Sequence, residues 1–182
     1  EIASCLVGSE MCIRDRDSPA HIFPDGITLD QFPADQFMGR ALVIDCRDLK
    51  EGEAISMKQI LRYGEKAEEA DFLLFYSGWD QYWGTSRYFG EYPCVDDEVL
   101  DFIIQGRYKG IGFDVMGLDP IRDENLPRHK KLFQGRNMVN IENLKNLGLC
   151  GHDLFWFFCF PMKIRNSDGA PVRAAACVEE EK

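Results

Sequence analysis

The segment Asp17-Ser18-Pro19-Ala20-His21-Ile22-Phe23 sets a carboxylate and an imidazole four residues apart around a proline, in a chain with only three histidines. Proline fixes its own φ, removes a backbone donor and pushes the residue before it toward extended conformations. The pair is therefore expected on a rigid bend rather than on a helix face. A carboxylate and an imidazole held side by side can bind a metal ion or exchange a proton near neutral pH. The same spacing occurs in ordinary turns, where the Asp caps nearby amides and the His is a satisfied loop residue. Farther along, Glu142 closes the apolar run 138–141, where a carboxylate needs a partner. His129 lies between Pro127-Arg128 and Lys130-Lys131, a polar setting that alone reads as solvated surface. His152, beside Gly151 and Asp153, reads as a loop or cap histidine.

Elements that could position these groups follow from periodicity and composition. Apolar runs over 40–46, 71–76, 110–115 and 154–160 predict strands, with shorter ones over 138–141 and 172–178. Met57, Ile60 and Leu61 are spaced as on one helix face within 56–64. Residues 96–105 predict a helix whose acidic first turn suits the macrodipole, and 128–133 a short one. Residues 24–39 read as a loop with one helical turn over 29–32. Residues 79–93 read as a long loop rich in glycine and aromatics, including Trp79, Tyr82, Trp83, Tyr88, Phe89 and Tyr92. Mixing with glycines speaks against a purely core role for these aromatics. Strands alternating with helices indicate an α/β fold.

The chain has 182 residues, enough for one domain with a sizeable core. Its formal net charge of −10 argues against nucleic acid and against an anionic membrane surface. The longest strongly apolar run, 154–162, is too short to span a bilayer. The N-terminal apolar piece precedes its arginines, unlike a signal peptide. Seven scattered cysteines, an odd number without a Cys-x-x-Cys pair, fit a reducing, cytoplasmic compartment better than a disulfide framework. Cys46 and Cys159 lie at or in apolar runs and read as small core residues.

Taken in order, Asp17-x-Pro-x-His21, Ser77-Gly78-Trp79, Gly112-Phe113-Asp114, Leu118-Asp119-Pro120, His129, Ile141-Glu142-Asn143-Leu144 and Ser167-Asp168-Gly169-Ala170-Pro171-Val172-Arg173-Ala174 resemble the metal-dependent cyclase family that includes bacterial kynurenine formamidase. The resemblance runs from about Asp17 to Ala176. It implies a swivelling β/β/α fold with mixed sheets, whose N-terminal part is missing from this chain. It implies a metal-dependent amidohydrolase, acting on an N-formyl aryl amide in tryptophan catabolism via kynurenine. Asp17, His129 and Glu142 would hold one or two ions of Zn²⁺, with Mn²⁺ as the alternative. His21 would be the catalytic acid/base, and Trp79 would line the substrate pocket. A small-molecule substrate and a homo-oligomer are expected, without nucleic acid or membrane.

The family's pattern His-x-Gly-Thr-His-x-Asp-x-Pro-x-His places two further histidines where this chain has Met11 and Asp15. Gly117 stands where the related Gly-x-Asp-x-x-Ser-x-Asp pattern has Ser. Residues 1–16 look foreign to the family, residues 17–178 form the cyclase-like domain, and residues 179–182 are a charged tail. The alternatives are an inactive fragment that keeps only the fold, or a family hydrolase acting on another small cyclic amide or acyl substrate. Arg173 is expected in a structural ion pair. Asp17, His21, His129 and Glu142 are expected to converge in space.

Overall fold

The computed structural model describes residues 15–178. Four parallel strands make its centre: β2 (Met38–Asp45), β3 (Phe72–Tyr76), β4 (Gly110–Phe113) and β5 (Val139–Ile141). These are the near-continuous apolar runs of the sequence, as strands covered on both faces must be. Antiparallel strands extend both sides. β1 (Asp15–Asp17) and β7 (Gly169–Pro171) follow β5, while β6 (Phe155–Phe158) and β8 (Ala175–Cys177) follow β2. The result is one mixed eight-stranded sheet ordered β7-β1-β5-β4-β3-β2-β6-β8, the mixed α/β architecture the resemblance implies.

Alternation along the strands separates two cores. Leu42, Ile44, Leu73, Phe75, Ile111 and Phe113 meet the buried faces of helices α3 (Asp97–Gln105) and α4 (Pro127–Gly135). Val43, Phe72, Leu74, Val139, Ile141 and Phe157 pack on the other side against Leu29, Phe32 and Phe37. The latter three come from the 24–39 segment, whose helical turn is a 3-10 turn over Leu29–Gln31. α3 begins where its acidic residues predicted, with the Asp96 side chain accepting from Val99 N at 2.9 Å.

The helix expected over 56–64 divides in two. α1 (Met57–Leu61) stops early, Gly64 adopts φ 52°, and α2 (Glu65–Glu69) follows, a helix the periodicity did not reveal. The last strand expected over 172–178 is shorter, β8 alone, and β7 precedes it as a separate edge strand. Among the described residues, no helix is long and apolar enough to cross a membrane.

The largest departure is at β1. Asp17 was expected on a bend, and residues 15 and 16 outside the domain. All three instead form a strand, with Arg16 opposite Ile141 and Ala170. Nothing in Asp-Arg-Asp favours a strand locally. Partners more than 120 residues away in sequence impose it. The bend follows immediately, as a 3-10 turn over Pro19–His21. Gly26 packs on this turn so closely that a Cβ there would lie 2.5 Å from Pro19 C. Residues 1–14 and the tail 179–182 lie outside the described residues.

Alternation on β1 sends Asp15 and Asp17 to one face and Arg16 to the other. Arg16 is fully buried, with its guanidinium 4.7 Å above the Phe37 ring. Its Nη2 donates to Cys159 Sγ, while Nε and Nη1 have no hydrogen-bond partner among the described residues. Burial pulls its pKa below the usual arginine range. A cation so placed costs folding energy that an apolar side chain of similar length would not. Arg16→Met is therefore expected to raise stability by about 1–4 kcal/mol, the range for replacing buried charges with packed apolar groups. Urea unfolding measures it, and a lower midpoint for the variant would show that Arg16 has partners of net benefit.

Candidate metal centre

Three side chains from three elements meet at one end of the sheet. β1 and β5 run antiparallel with Asp17 opposite Asn140, and Glu142 N donates to Asp15 O at 3.1 Å. This register puts Asp15, Asp17, Asn140 and Glu142 on the same face. His129 reaches them from the first turn of α4. Its Nε2 lies 3.2 Å from Glu142 Oε1 and 3.8 Å from Asp17 Oδ2. One ligand atom from each of Asp17, His129 and Glu142 falls within 4.8 Å of the others, and all three residues are buried. The polar neighbours that made His129 read as surface lie on the outer face of α4.

Asp119 orients the imidazole. One of its oxygens accepts from Arg128 N at 2.8 Å. The other accepts from His129 N at 3.0 Å and lies 2.7 Å from His129 Nδ1. The carboxylate thus satisfies open amides at the start of α4 and fixes the ring in the same contact. With the proton on Nδ1, Nε2 presents its lone pair to the two carboxylates, the carboxylate–histidine arrangement that prepares a metal ligand. Tyr92 Oη donates to Asp119 O at 2.7 Å, and Glu142 Oε1 accepts from Leu118 N at 3.1 Å, so the 117–120 segment is held from both sides. Leu118-Asp119-Pro120 was visible in the sequence as a motif. The bond to His129 was not, because ten residues of irregular chain separate the pair.

The electrostatics suit a cation. Burial, then the nearby Glu142 and Asp15, push the Asp17 pKa well above the carboxylate range. Asp15 is raised by burial and Glu142 in the same way. Burial opposes the charged form of His129, but the bonds to Asp119 and Glu142 outweigh it and raise the imidazole to about 9. Crowded carboxylates therefore hold protons in the absence of a positive ion. Two carboxylate oxygens and a neutral imidazole nitrogen are a donor set that fits a divalent metal.

His21 stands beside this group, partly exposed, with Nδ1 4.0 Å from Asp17 Oδ1 and 3.6 Å from Asp168 Oδ2. Its ring centroid is 6.3 Å from that of His129. The four residues expected to converge do so. Asp15 is on the correct face but outside the three-residue ligand group, and it accepts from Asn143 Nδ2 at 3.5 Å. Met11 lies outside the described residues.

Trp79 is packed into the core. It is 5% exposed, its Nε1 donates to Tyr88 O, and its ring packs edge-on against Tyr82 and Tyr92. The 79–93 segment is folded as 3-10 turns over Trp79–Tyr82 and Ser86–Phe89, with Trp79, Tyr88 and Tyr92 in the core. Glycine-rich sequence hid this, because turns let a loop bury its own aromatics. Asp114 is fully buried and grips the loop's start, accepting from Ser77 N, Ser77 Oγ and Trp79 N. Desolvation raises it to about 6. Arg173 and His152 are exposed, and neither belongs to the ligand group.

The family model described as "Putative cyclase" matches residues 15–120. An uncharacterised protein of Methanocaldococcus jannaschii is 28% identical, over 96% of this chain and 82% of its own length. The kynurenine formamidase of Bacillus cytotoxicus is 26% identical, over 87% of this chain and 71% of its own. Among solved structures, isatin hydrolase A of Labrenzia aggregata superposes with a TM-score of 0.79 at 22% identity, covering 92% of this chain and 73% of that one. The chain belongs to the cyclase family.

Asp119→Asn keeps the shape at position 119 but removes the charge that holds His129. Zn²⁺ affinity is expected to fall roughly 10–100-fold, the usual effect of losing an outer-shell carboxylate. Titration calorimetry reads this directly, and an unchanged affinity would show that His129 is oriented by other contacts.

Proposed function

We propose that this cyclase-family chain carries the centre of a metal-dependent hydrolase of small amides, whose substrate is an N-formyl aryl amide such as N-formylkynurenine. The observation that carries the reading is the meeting of two buried carboxylates with an Asp119-oriented imidazole, beside a histidine held by a proline turn. The similarity to kynurenine formamidases supports the substrate class and a place in tryptophan catabolism.

Asp17, His129 through Nε2 and Glu142 would hold the ion, Zn²⁺ or Mn²⁺. When bound, such an ion lowers the pKa of water from about 15.7 to about 7 and polarises a carbonyl. His21 supplies the proton traffic. It accepts a proton from the attacking water and returns it to the departing amine nitrogen, as an imidazole serving as general base and then general acid does. The pair Pro19 and Gly26 holds its turn in place, so the ring stays beside Asp17. Asp119 keeps the His129 proton on Nδ1 throughout, leaving Nε2 free of it.

A cytoplasmic location belongs to the same reading, supported by free cysteines, four of them buried, at positions 46, 94, 150 and 159. A homo-oligomer is supported by the row Trp156 and Phe158 of β6 with Phe160 just beyond it, stacked at 6.4 and 6.5 Å.

In a chain with histidines restored at positions 11 and 15, His21→Ala is expected to lower turnover about 10²–10⁴-fold while metal content stays constant. Elemental analysis alongside the assay decides it. Loss of metal in step with activity would make His21 a ligand instead. The inactive-fragment reading is tested by assaying this chain beside a Met11→His, Asp15→His variant, with N-formylkynurenine, a cyclic amide and added Zn²⁺ or Mn²⁺. Activity only in the variant is expected, and inactivity of both would sink the hydrolase reading.

A further inference from the structure

Asn140 is fully buried in β5, directly opposite Asp17. Its Nδ2 donates to Glu142 Oε1 at 2.8 Å and lies 3.2 Å from His129 Nε2. Its Oδ1 is buried with no hydrogen-bond partner among the described residues. A buried amide oxygen without a donor is uncommon and calls for a cause. Here the cause is what the other end of the amide faces. With two carboxylates converging, the NH₂ group adds a further donor to Leu118 N and His129, so the amide turns that end inward and leaves Oδ1 stranded.

A cation among Asp17, His129 and Glu142 reverses this preference. It repels the NH₂ end and attracts the carbonyl oxygen. A half turn about χ2 exchanges the two ends with almost no change of shape. That turn sets Oδ1 where Nδ2 now stands, beside the His129 nitrogen and the Glu142 oxygen that would bind the ion. We propose that Asn140 is the fourth protein ligand of the metal centre, through Oδ1.

The charges agree. Asp17 and Glu142 already balance a divalent ion, so a neutral oxygen adds a ligand without adding repulsion. Asp15 would add a third negative charge, and its carboxylate lies outside the ligand group. With four protein ligands, an ion that expands to five-coordinate still keeps a position open for water. Three oxygens with one nitrogen is also a harder set than the family's histidine-rich pattern, one that takes Mn²⁺ as well as Zn²⁺.

The inference rests on the reading that Asp17, His129 and Glu142 bind a divalent ion. The test uses the metals alone. Zn²⁺ titration should show Asn140→Ala binding more than about 100-fold more weakly, beyond the roughly 10–100-fold of an outer-shell loss, with Asn140→Asp recovering most of it. The visible bands of bound Co²⁺ should move in Asn140→Ala, because a ligand has changed. Unmoved bands with a smaller affinity loss would overturn the proposal and leave Asn140 as a hydrogen-bond donor. Should Asn140→Ala fail to fold, a crystal structure of the Zn²⁺-loaded chain decides. Oδ1 at about 2.0–2.2 Å from the ion supports it, and any longer approach overturns it. Zn²⁺ binding that ignores Asn140 sinks this inference alone. No binding by the unaltered chain sinks the metal reading with it.

Discussion

Two carboxylates buried against each other are the constraint around which this molecule is arranged. Asp17 and Glu142 sit on neighbouring strands, on one face, away from bulk water. Asp17 is hard to keep ionised there unaided, because burial and the neighbouring carboxylates favour its protonated form. Every nearby polar group answers that problem. His129 faces both through Nε2, Leu118 N donates to Glu142, and Asn140 turns its NH₂ end toward the pair at the expense of its own oxygen. Such an arrangement is poorly stabilised by protein groups alone and well stabilised by a divalent cation.

The fold keeps these groups from relaxing apart. β1 is three residues long, yet it is paired on both sides, so Asp17 cannot swing out without breaking ladders to β5 and β7. α4 is tied at its start by Asp119, which ties His129 with the same carboxylate. Behind this segment lies the aromatic cluster of Trp79, Tyr88 and Tyr92. Tyr92 bonds Asp119 O, and Tyr88 bonds Asn143 Oδ1 at 2.7 Å. A loop that looks like a recognition surface is thus the support of the centre. Its own anchor is Asp114, buried beneath Ser77 and Trp79.

His21 has a different kind of freedom. It follows β1 by one turn, is partly exposed, and touches the cluster only at its edge. Ligands must be held from several sides, whereas a group that accepts and returns a proton must meet both the cluster and solvent. The two roles expected of Asp17 and His21 are separated by four residues of sequence and by a clear difference in burial.

Local sequence determined a good deal. The central strands β2 to β4 were legible because parallel strands covered on both faces must be apolar throughout. α3 was legible from its acidic first turn and apolar spacing. Glu142 was legible as a carboxylate ending an apolar strand, and the stiff turn at Pro19 from proline geometry. Tertiary structure decided the rest. β1 exists because residues 140 and 169 pair with it, not because Asp-Arg-Asp favours a strand. His129 is buried because α4 turns that face inward, which its charged neighbours could not announce. Asp119, Asn140 and Trp79 acquired their places from contacts across ten, eleven and nine or more residues of sequence. Spacing along a chain reports which groups can share a helix face or a strand. It does not report which strand edge meets which helix start, and that meeting made the centre.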